Sequence, residues 1–354
     1  MIICRTPFRI SLFGGGTDYP AWYRQHGGAV LAASIDKYCW LTARHLPPFF
    51  EHKFRVVYRK IETVRAADDI EHPVVRAALQ HLGFERGLEL HHDGDLPARS
   101  GMGSSSAFTV GLLHALATLR GAKRTKMQLA QESIHIEQNV LKETVGSQDQ
   151  VLAAYGGLNH VVFAPSGEIS VRPMTLLPEV LTDLNAHLML FYTGIKRTAS
   201  DVAQTYVNGV DERKRQLRIM KDLVDEALGL LNGRKPIVGL GQLLHEAWEA
   251  KRSLSAMVSN KVTDEIYTAA LAAGALGGKL TGAGGGGFML LFAPPAAHEK
   301  IREALRSLVY LPFSFEYSGS QVIFFSPERD YSSYEKLRDG QAVRTFRELS
   351  DLAG

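Results

Sequence analysis

The chain has 354 residues, 45% of them hydrophobic and 22% charged, and its net charge of +3 is too small to indicate a nucleic-acid partner. This length exceeds what one compact core usually holds, so we expect two domains, 1–180 and 181–354. With two cysteines and no run of eighteen apolar residues, the sequence excludes a disulfide framework, a cysteine-based zinc site and a membrane-spanning helix, and we expect a cytoplasmic protein.

Predicted strands and helices alternate along the first half of the chain. Short apolar runs indicate strands, and apolar residues at three- and four-residue steps indicate helices. In chain order they are strands at 2–13, 29–44 and 52–59, a helix at 72–82, a strand at 87–93, two helices between 104 and 142, and a strand at 156–163. The second half has a strand at 187–192, helices at 198–232, 236–257 and 262–274, a strand at 288–292, a helix at 296–307, strands at 309–315 and 321–325, and a short helix after Pro327. This mixed order predicts an α+β fold whose domains join near 165–190.

Glycine and other small residues are concentrated at three places beside these elements. We call them the first, second and third glycine segments: residues 13–18 (FGGGTD), 97–107 (PARSGMGSSSA) and 280–288 (LTGAGGGGF). Glycine lets the backbone approach a ligand closely, so that its N–H groups can meet phosphate oxygens. Any one segment could be only a tight turn, but three of them in one chain favour phosphate binding.

The second glycine segment carries the most information. Its serines, Ser104–Ser106, lead into a helix that is apolar on nearly every face and ends at Gly121, so this helix must be buried. Its N-terminus then presents unpaired N–H groups and a positive dipole end, which together suit an anion. The alternative is that the serines only cap the helix. The segment lacks the lysine of a Walker A loop, and the chain lacks the HRD and DFG signatures of protein kinases.

The third glycine segment also satisfies the pattern GxGxxG, over residues 282–287. In dinucleotide-binding oxidoreductases a strand precedes this pattern and a helix follows it, so that the pyrophosphate meets the helix N-terminus. Here a predicted helix, 262–274, precedes the glycines and a predicted strand, 288–292, follows them. An oxidoreductase is therefore the weaker alternative.

Glu137 is an acidic residue within an apolar stripe. On the predicted helix 126–142 it shares one face with Met127, Ala130, Ile134 and Leu141. A carboxylate in that position is either a paired core residue or a ligand of Mg²⁺, which typically takes only one or two protein carboxylates.

Asp149 lies in the segment 146–150 (GSQDQ). Ser147 and Gln150 predict a capping box, which places Asp149 in the first turn of a short helix. On the residues alone, a favourable interaction with the helix dipole is sufficient to explain an aspartate there.

Taken together, the three glycine segments and the motif around Asp149 resemble those of the GHMP kinases, which include galactokinase, homoserine kinase, mevalonate kinase and phosphomevalonate kinase. The likeness runs in the same order from Pro7 to Phe288. It implies an N-terminal domain like domain 2 of ribosomal protein S5 and a ferredoxin-like C-terminal domain, with ATP and Mg²⁺ bound between them. It also implies that Asp149 is the catalytic base, that Arg9 assists the reacting hydroxyl, and that Ser105 and Glu137 hold Mg²⁺. The implied nucleotide-binding residues are Pro97, Gly101, Met102, Gly103, Ser104, Ser105 and Ser106.

The first glycine segment departs from that of galactokinases, which carry a Glu-His pair where this chain has Gly15 and Gly16. With residues 35–38, 146–150 and 192–200, it is similar to the branch of D-glycero-D-manno-heptose 7-phosphate 1-kinases, and fucokinases are the nearest alternative. The resemblance implies a small sugar or sugar phosphate as the acceptor, implies no nucleic-acid or membrane partner, and leaves a homodimer open. The implied substrate-binding residues are Gly15, Gly16, Thr17, Asp18, Arg197, Gly284, Gly285 and Gly286.

Overall fold

The structure is a computed structural model that describes residues 1–196, 199–207, 209–233 and 236–327, together with Tyr331, Ser333, Leu337, Thr345 and Phe346. Two mainly antiparallel sheets with helices packed on them make an α+β fold, as predicted. Arg197 and most of the segment after Pro327, where a helix is expected, lie outside the described residues. Within the described part of the chain, no helix is long and apolar enough to cross a membrane.

The larger sheet has eight strands among the described residues, in the order β12-β1-β2-β5-β3-β4, with β6 beside β2 and β7 beside β6. Only β3 and β5 pair in parallel. The strands are β1 (Ile2–Phe13), β2 (Gly28–His45), β3 (Phe54–Val57), β4 (Ile61–Val64), β5 (Leu88–Gly94), β6 (Leu158–Phe163), β7 (Ile169–Pro173) and β12 (Gln321–Phe325). The smaller sheet is antiparallel, in the order β11-β8-β10-β9, and contains β8 (Leu188–Tyr192), β9 (Gly277–Leu280), β10 (Phe288–Phe292) and β11 (Val309–Tyr310).

Eleven α-helices lie in the described part of the chain, and the most buried of them packs on β1 and β2. The helices are α1 (Pro20–His26), α2 (Pro73–His81), α3 (Ser104–Leu119), α4 (Lys126–Ile134), α5 (Gln148–Tyr155), α6 (Pro178–His187), α7 (Ala199–Val207), α8 (Lys214–Asn232), α9 (Gly239–Arg252), α10 (Lys261–Ala272) and α11 (His298–Ala304). The buried helix is α3, whose residues from Ser106 to Leu113 are all buried, as its continuous apolar sequence predicts.

Most predicted elements are present, with bounds that differ by a few residues. The single helix expected over 198–232 is wrong, because a 3₁₀ turn at Val210–Arg213 separates α7 from α8. Five strands and α-helices were not predicted: α1, α6, β4, β7 and β9. The strands β4 and β7 each pair with one neighbour, β3 and β6, and are mostly exposed or half-buried, so they carry little apolar pattern.

The last strand, β12, returns to the larger sheet and pairs antiparallel with β1. The strand β12, which belongs to the expected second domain 181–354, therefore packs with the sheet of the expected first domain 1–180. That division stays a prediction from sequence.

Candidate active site

Arg9 and Asp149 form the centre of the candidate active site. Arg9 lies on β1 just past a register shift between Pro7 and Phe8, and its side chain is 5% exposed. Its Nε donates a hydrogen bond to Asp149 Oδ1 at 2.7 Å, and its Nη2 donates to Asp149 Oδ2 at 2.5 Å. This bidentate interaction sets the orientation of the Asp149 carboxylate. The remaining nitrogen, Nη1, donates to the Gly101 carbonyl at 2.7 Å, so the pair also contacts the second glycine segment.

The second glycine segment packs directly against this pair. The Arg9 N–H donates to the Met102 carbonyl at 3.1 Å. Gly103 has a φ of 72°, and a Cβ there would lie 3.2 Å from Arg9 Cγ and 3.4 Å from Asp149 Oδ2. A glycine is therefore required, because a larger residue would be strained and would crowd the carboxylate.

The N-terminus of α3 opens beside Asp149. Gly103 occupies the N-cap position, and no side chain among the described residues caps the helix. The interpretation that the serines only cap α3 is therefore wrong. Ser104 is half-buried and Ser105 is exposed, whereas Ser106 is buried. The first N–H groups of α3 are thus free of a side-chain cap among the described residues, and an anion site there stays a prediction.

Glu137 is fully buried where the helix that begins at Lys126 changes its geometry. The regular turns of α4 give way to a π-helix over His135–Val140, closed by a hydrogen bond from Leu141 N to Ile136 O at 2.9 Å. The prediction of one regular helix over 126–142 is therefore wrong in its last turns. Such π segments insert an extra residue into the turn and frequently occur at functional sites.

The hydrogen-bond partners of Glu137 are neutral side chains. Ser106 Oγ donates to Glu137 Oε2 at 2.9 Å, and Gln150 Nε2 donates to the same oxygen at 2.5 Å. The other oxygen, Oε1, is buried and has no hydrogen-bond partner. Burial raises the pKa of Glu137 to about 7. An unpartnered carboxylate oxygen in this setting suits a cation.

The first glycine segment contacts the segment that carries Asp149. Asp18 accepts hydrogen bonds from the N–H of Gly16 at 2.9 Å and from the N–H of Gln148 at 3.3 Å. Gly146 packs on the Asp18 carboxylate with no room for a Cβ. Burial, and then the negative charge of Asp149, raise the pKa of Asp18. The capping box predicted at Ser147 is wrong, because the Ser147 hydroxyl accepts from Gln138 Nε2 at 3.1 Å and the Gln150 side chain donates to Glu137.

Some residues expected to touch the substrate have other partners. The Thr17 hydroxyl is buried, lies 2.8 Å from the Gly14 carbonyl oxygen and 2.9 Å from that of Ala29, either of which can take its one proton, and accepts from the Ala29 N–H at 3.1 Å. It therefore holds the turn and does not face a ligand. The Gly285 N–H, expected as a donor to a ligand, donates instead to the Val258 carbonyl at 2.7 Å.

The third glycine segment joins the two halves of the chain. A Cβ on Gly101 would lie 2.7 Å from the Thr281 carbonyl oxygen, and one on Gly287 would strike the Ser100 carbonyl. A Cβ on Gly284 or Gly286 would likewise meet the backbone carbonyl of Val258 or Ile195. The segment links β9 to β10, and β10 is a strand, so the context of a dinucleotide fingerprint is absent.

A polar cavity borders Asp149, and its walls come from both halves of the chain. The N-terminal half contributes, among others, Arg9, Ser11, Gly15, Gly16, Asp18 and Gln148, and the C-terminal half contributes Lys251, Leu254, Lys279, Gly282 and Ala283. The predicted residues Gly15, Gly16 and Asp18 therefore lie on the cavity, whereas Gly284, Gly285 and Gly286 are not among the residues that line it.

Lys251 and Lys279 were not predicted, although the sequence carried a signal for each. On α9, Lys251 continues the apolar spacing of Leu240, Leu244 and Ala247. Lys279 lies in β9, whose four residues are all buried. A lysine in either setting is a charged group inside a core, which natural proteins seldom keep without a purpose.

Comparison with known proteins identifies the family. The sequence profile of the GHMP kinases N terminal domain matches residues 68–157, and that of the GHMP kinases C terminal domain matches residues 214–311. The chain belongs to the GHMP kinase family. This GHMP kinase is thus a phosphotransferase that acts on an alcohol group, with the two-domain fold of the family.

Relatives of this GHMP kinase cover most of its length. A D-glycero-alpha-D-manno-heptose 7-phosphate kinase from Campylobacter jejuni is 29% identical over 313 residues, covering 85% of this chain and 92% of the relative. The L-fucokinase/L-fucose-1-P guanylyltransferase of Bacteroides fragilis is 27% identical over 354 residues, covering 85% of this chain but 35% of that protein. A crystal structure of a D-glycero-D-manno-heptose 1-phosphate kinase from Bacteroides thetaiotaomicron has the same fold, with a TM-score of 0.74 at 23% identity over 92% of this chain and 100% of that one.

Proposed function

We propose that this GHMP kinase transfers the γ-phosphoryl group of ATP to the anomeric hydroxyl of a sugar phosphate, D-glycero-D-manno-heptose 7-phosphate, giving the 1,7-bisphosphate used to make nucleotide-activated heptose. The observation that carries the phosphoryl-transfer step is the Asp149 carboxylate held by Arg9 beside the open N-terminus of α3. Support for the acceptor comes from the 29% identity to the heptose 7-phosphate kinase of C. jejuni. A cytoplasmic location and a homodimer stay predictions from the sequence.

Asp149 would act as the general base. Its side chain is 25% exposed, and each carboxylate oxygen that accepts from Arg9 keeps a lone pair for the acceptor hydroxyl. As the hydroxyl oxygen attacks the γ-phosphorus, its proton passes to Asp149 and ADP leaves. Arg9 and the N-terminus of α3 would offset the charge on the transferring group, which is where phosphoryl-transfer enzymes gain most of their rate.

The residues beside α3 fit a Mg²⁺ ion. Glu137 Oε1 is a buried carboxyl oxygen without a hydrogen-bond partner, and Ser105, in the first turn of the helix that Glu137 packs against, is exposed. The described residues contain no cluster of three or more histidine, cysteine or acidic residues, in keeping with an ion that takes few protein ligands and several phosphate oxygens and waters. When bound, Mg²⁺ would neutralise charge on the phosphates of ATP.

Glu137→Ala and Ser105→Ala are each expected to raise the Mg²⁺ concentration needed for half-maximal turnover, because each change removes one proposed ligand. Turnover is measured against free Mg²⁺ at saturating ATP. Glu132→Ala is the matched control, since Glu132 lies on α4, one turn before Glu137, but pairs with Arg124. If the Mg²⁺ titrations of both variants overlay that of the wild type, the metal assignment is wrong.

The preferred acceptor is expected to be the phosphorylated heptose, and Arg197→Ala is expected to lower kcat/KM for it by roughly ten- to a thousandfold, because binding energy from a remote phosphate can orient the reacting end. The same variant should barely change KM for ATP. The measurement compares kcat/KM for D-glycero-D-manno-heptose 7-phosphate, the free heptose and L-fucose. L-Fucose is the second candidate because a fucokinase aligns over the same share of this chain. If free fucose is the best acceptor, the heptose assignment fails.

A further inference from the structure

Two buried lysines reach the cavity from the C-terminal half of the chain. Lys251 is 5% exposed, and its Nζ donates to the carbonyls of Leu280 at 3.0 Å and Gly282 at 2.5 Å. Lys279 is 2% exposed, and its Nζ donates to the carbonyl of Leu12 at 2.9 Å. An ammonium group has three N–H donors, so both keep donors for another partner.

Neither lysine forms a salt bridge with a described residue, although both line the same cavity as Asp18. The negative charge of Asp18 acts on both lysines but only partly offsets the effect of their burial on the pKa. Burial lowers the pKa of Lys279 to about 7, and burial together with the charge of Lys279 lowers the pKa of Lys251 well below its usual value. A buried cation without a partner is costly, and an oxyanion with several acceptor oxygens would relieve that cost.

Other groups in the cavity also lack partners. Ser11 Oγ and Gln148 Oε1 are buried polar atoms without hydrogen-bond partners, and both residues line the cavity. The cavity therefore holds donors and acceptors for hydroxyl groups in addition to the two ammonium groups. This combination matches a polyol that carries an anionic group.

The lysines and Asp149 reach the cavity from different elements. Lys251 lies on α9 and Lys279 on β9, whereas Asp149 lies in the first turn of α5. The charges of Arg9 and Asp18 act on both lysines. The cavity therefore brings the two lysines, Asp18 and the Arg9–Asp149 pair to one common space.

We infer that Lys251 and Lys279 bind the phosphate group of a phosphorylated acceptor in the cavity that Asp149 also lines. The inference rests on the proposed function, in which the acceptor is a sugar phosphate, and it makes the lysine pair a determinant of acceptor specificity. The sugar hydroxyls would then meet Ser11, Gln148 and Asp18, with the anomeric hydroxyl at Asp149.

The test compares Lys251→Met and Lys279→Met with wild type and with Lys261→Met, whose lysine is 90% exposed and is not among the residues that line the cavity. Methionine keeps the length of the side chain and removes the charge. For each cavity variant we expect kcat/KM for heptose 7-phosphate to fall by roughly ten- to a thousandfold, while kcat/KM for free heptose changes by less than about threefold. Lys261→Met should match the wild type with both sugars.

A second measurement needs no turnover. Inorganic phosphate is titrated into wild type and variants, and binding is followed by calorimetry and by the shift in melting temperature. We expect Lys251→Met and Lys279→Met each to bind inorganic phosphate at least tenfold more weakly than the wild type does. The charge-conserving Lys279→Arg should largely retain the affinity of the wild type for phosphate. If a methionine variant does not fold, Lys279→Arg and Lys251→Gln are compared in the same way.

Three outcomes would overturn the inference: equal losses for both sugars, phosphate binding unchanged in the cavity variants, or a phosphate-selective loss confined to Arg197→Ala. The last would place the remote phosphate at the segment that contains Arg197. Failure of the proposed function looks different, because wild type would then not turn over heptose 7-phosphate at all, while phosphate binding and its dependence on the two lysines could still be measured.

Discussion

Asp149→Asn is expected to lower kcat by roughly 10²–10⁴ while leaving folding and ATP binding intact, the usual scale for loss of a general base. The amide keeps the shape of the side chain and can still accept from Arg9, but it cannot take the proton of the acceptor hydroxyl. Steady-state kcat, the melting temperature and the Kd for ATP are measured on the same preparations.

Asp222→Asn on α8 is the matched control, since Asp222 is an exposed aspartate outside the cavity. It should have the kcat of the wild type. A near-wild-type kcat in Asp149→Asn would remove Asp149 from the chemistry, and the acceptor hydroxyl would then attack without a protein base.

Arg9→Met is expected to reduce kcat by roughly 10²–10³, the scale for removing one preorganised donor at a site where charge develops. The change also releases the Asp149 carboxylate, which loses both of its hydrogen bonds from Arg9, and it frees the Gly101 carbonyl. Arg9→Lys should recover only part of the loss, because an ammonium group cannot reproduce the fork that meets both carboxylate oxygens.

The double variant Arg9→Met with Asp149→Asn distinguishes positioning from independent action. If Arg9 acts largely through Asp149, the double variant should lose little more than Asp149→Asn alone. Arg5→Met is the control, because Arg5 is also on β1 but pairs with Gln321 away from the cavity. Full additivity of the two losses would show that Arg9 does not work by orienting Asp149.

Parts of this site could be predicted from sequence because their signals are local. The buried helix α3 follows from a continuous apolar run, and an open helix N-terminus follows from its burial. Glu137 was recognisable as an acid within an apolar stripe, and the structure confirms that it is buried. For Asp149 the residues alone favoured a helix-dipole explanation, and only the family resemblance pointed to catalysis.

Other features depend on contacts between distant parts of the chain. The sequence does not reveal that Arg9 meets Asp149 across 140 positions, or that the Asp18 carboxylate accepts from the N–H of Gln148 at the start of α5. Nor does it reveal that Ser106, and not its neighbour Ser105, donates to Glu137, since that choice depends on the π-helix and on the angle at which the two helices meet.

The sequence was sufficient for the family, for the α+β class and for the order of the motifs, because those are carried by short patterns of glycine, serine and apolar spacing. The partners of each polar group, and the two lysines that complete the cavity, followed from the tertiary structure. Burial changes the behaviour of a polar side chain. Lys251 and Lys279 would be ordinary solvated cations on a surface, and their pKa values are lowered because the packed sheet and helices remove them from water.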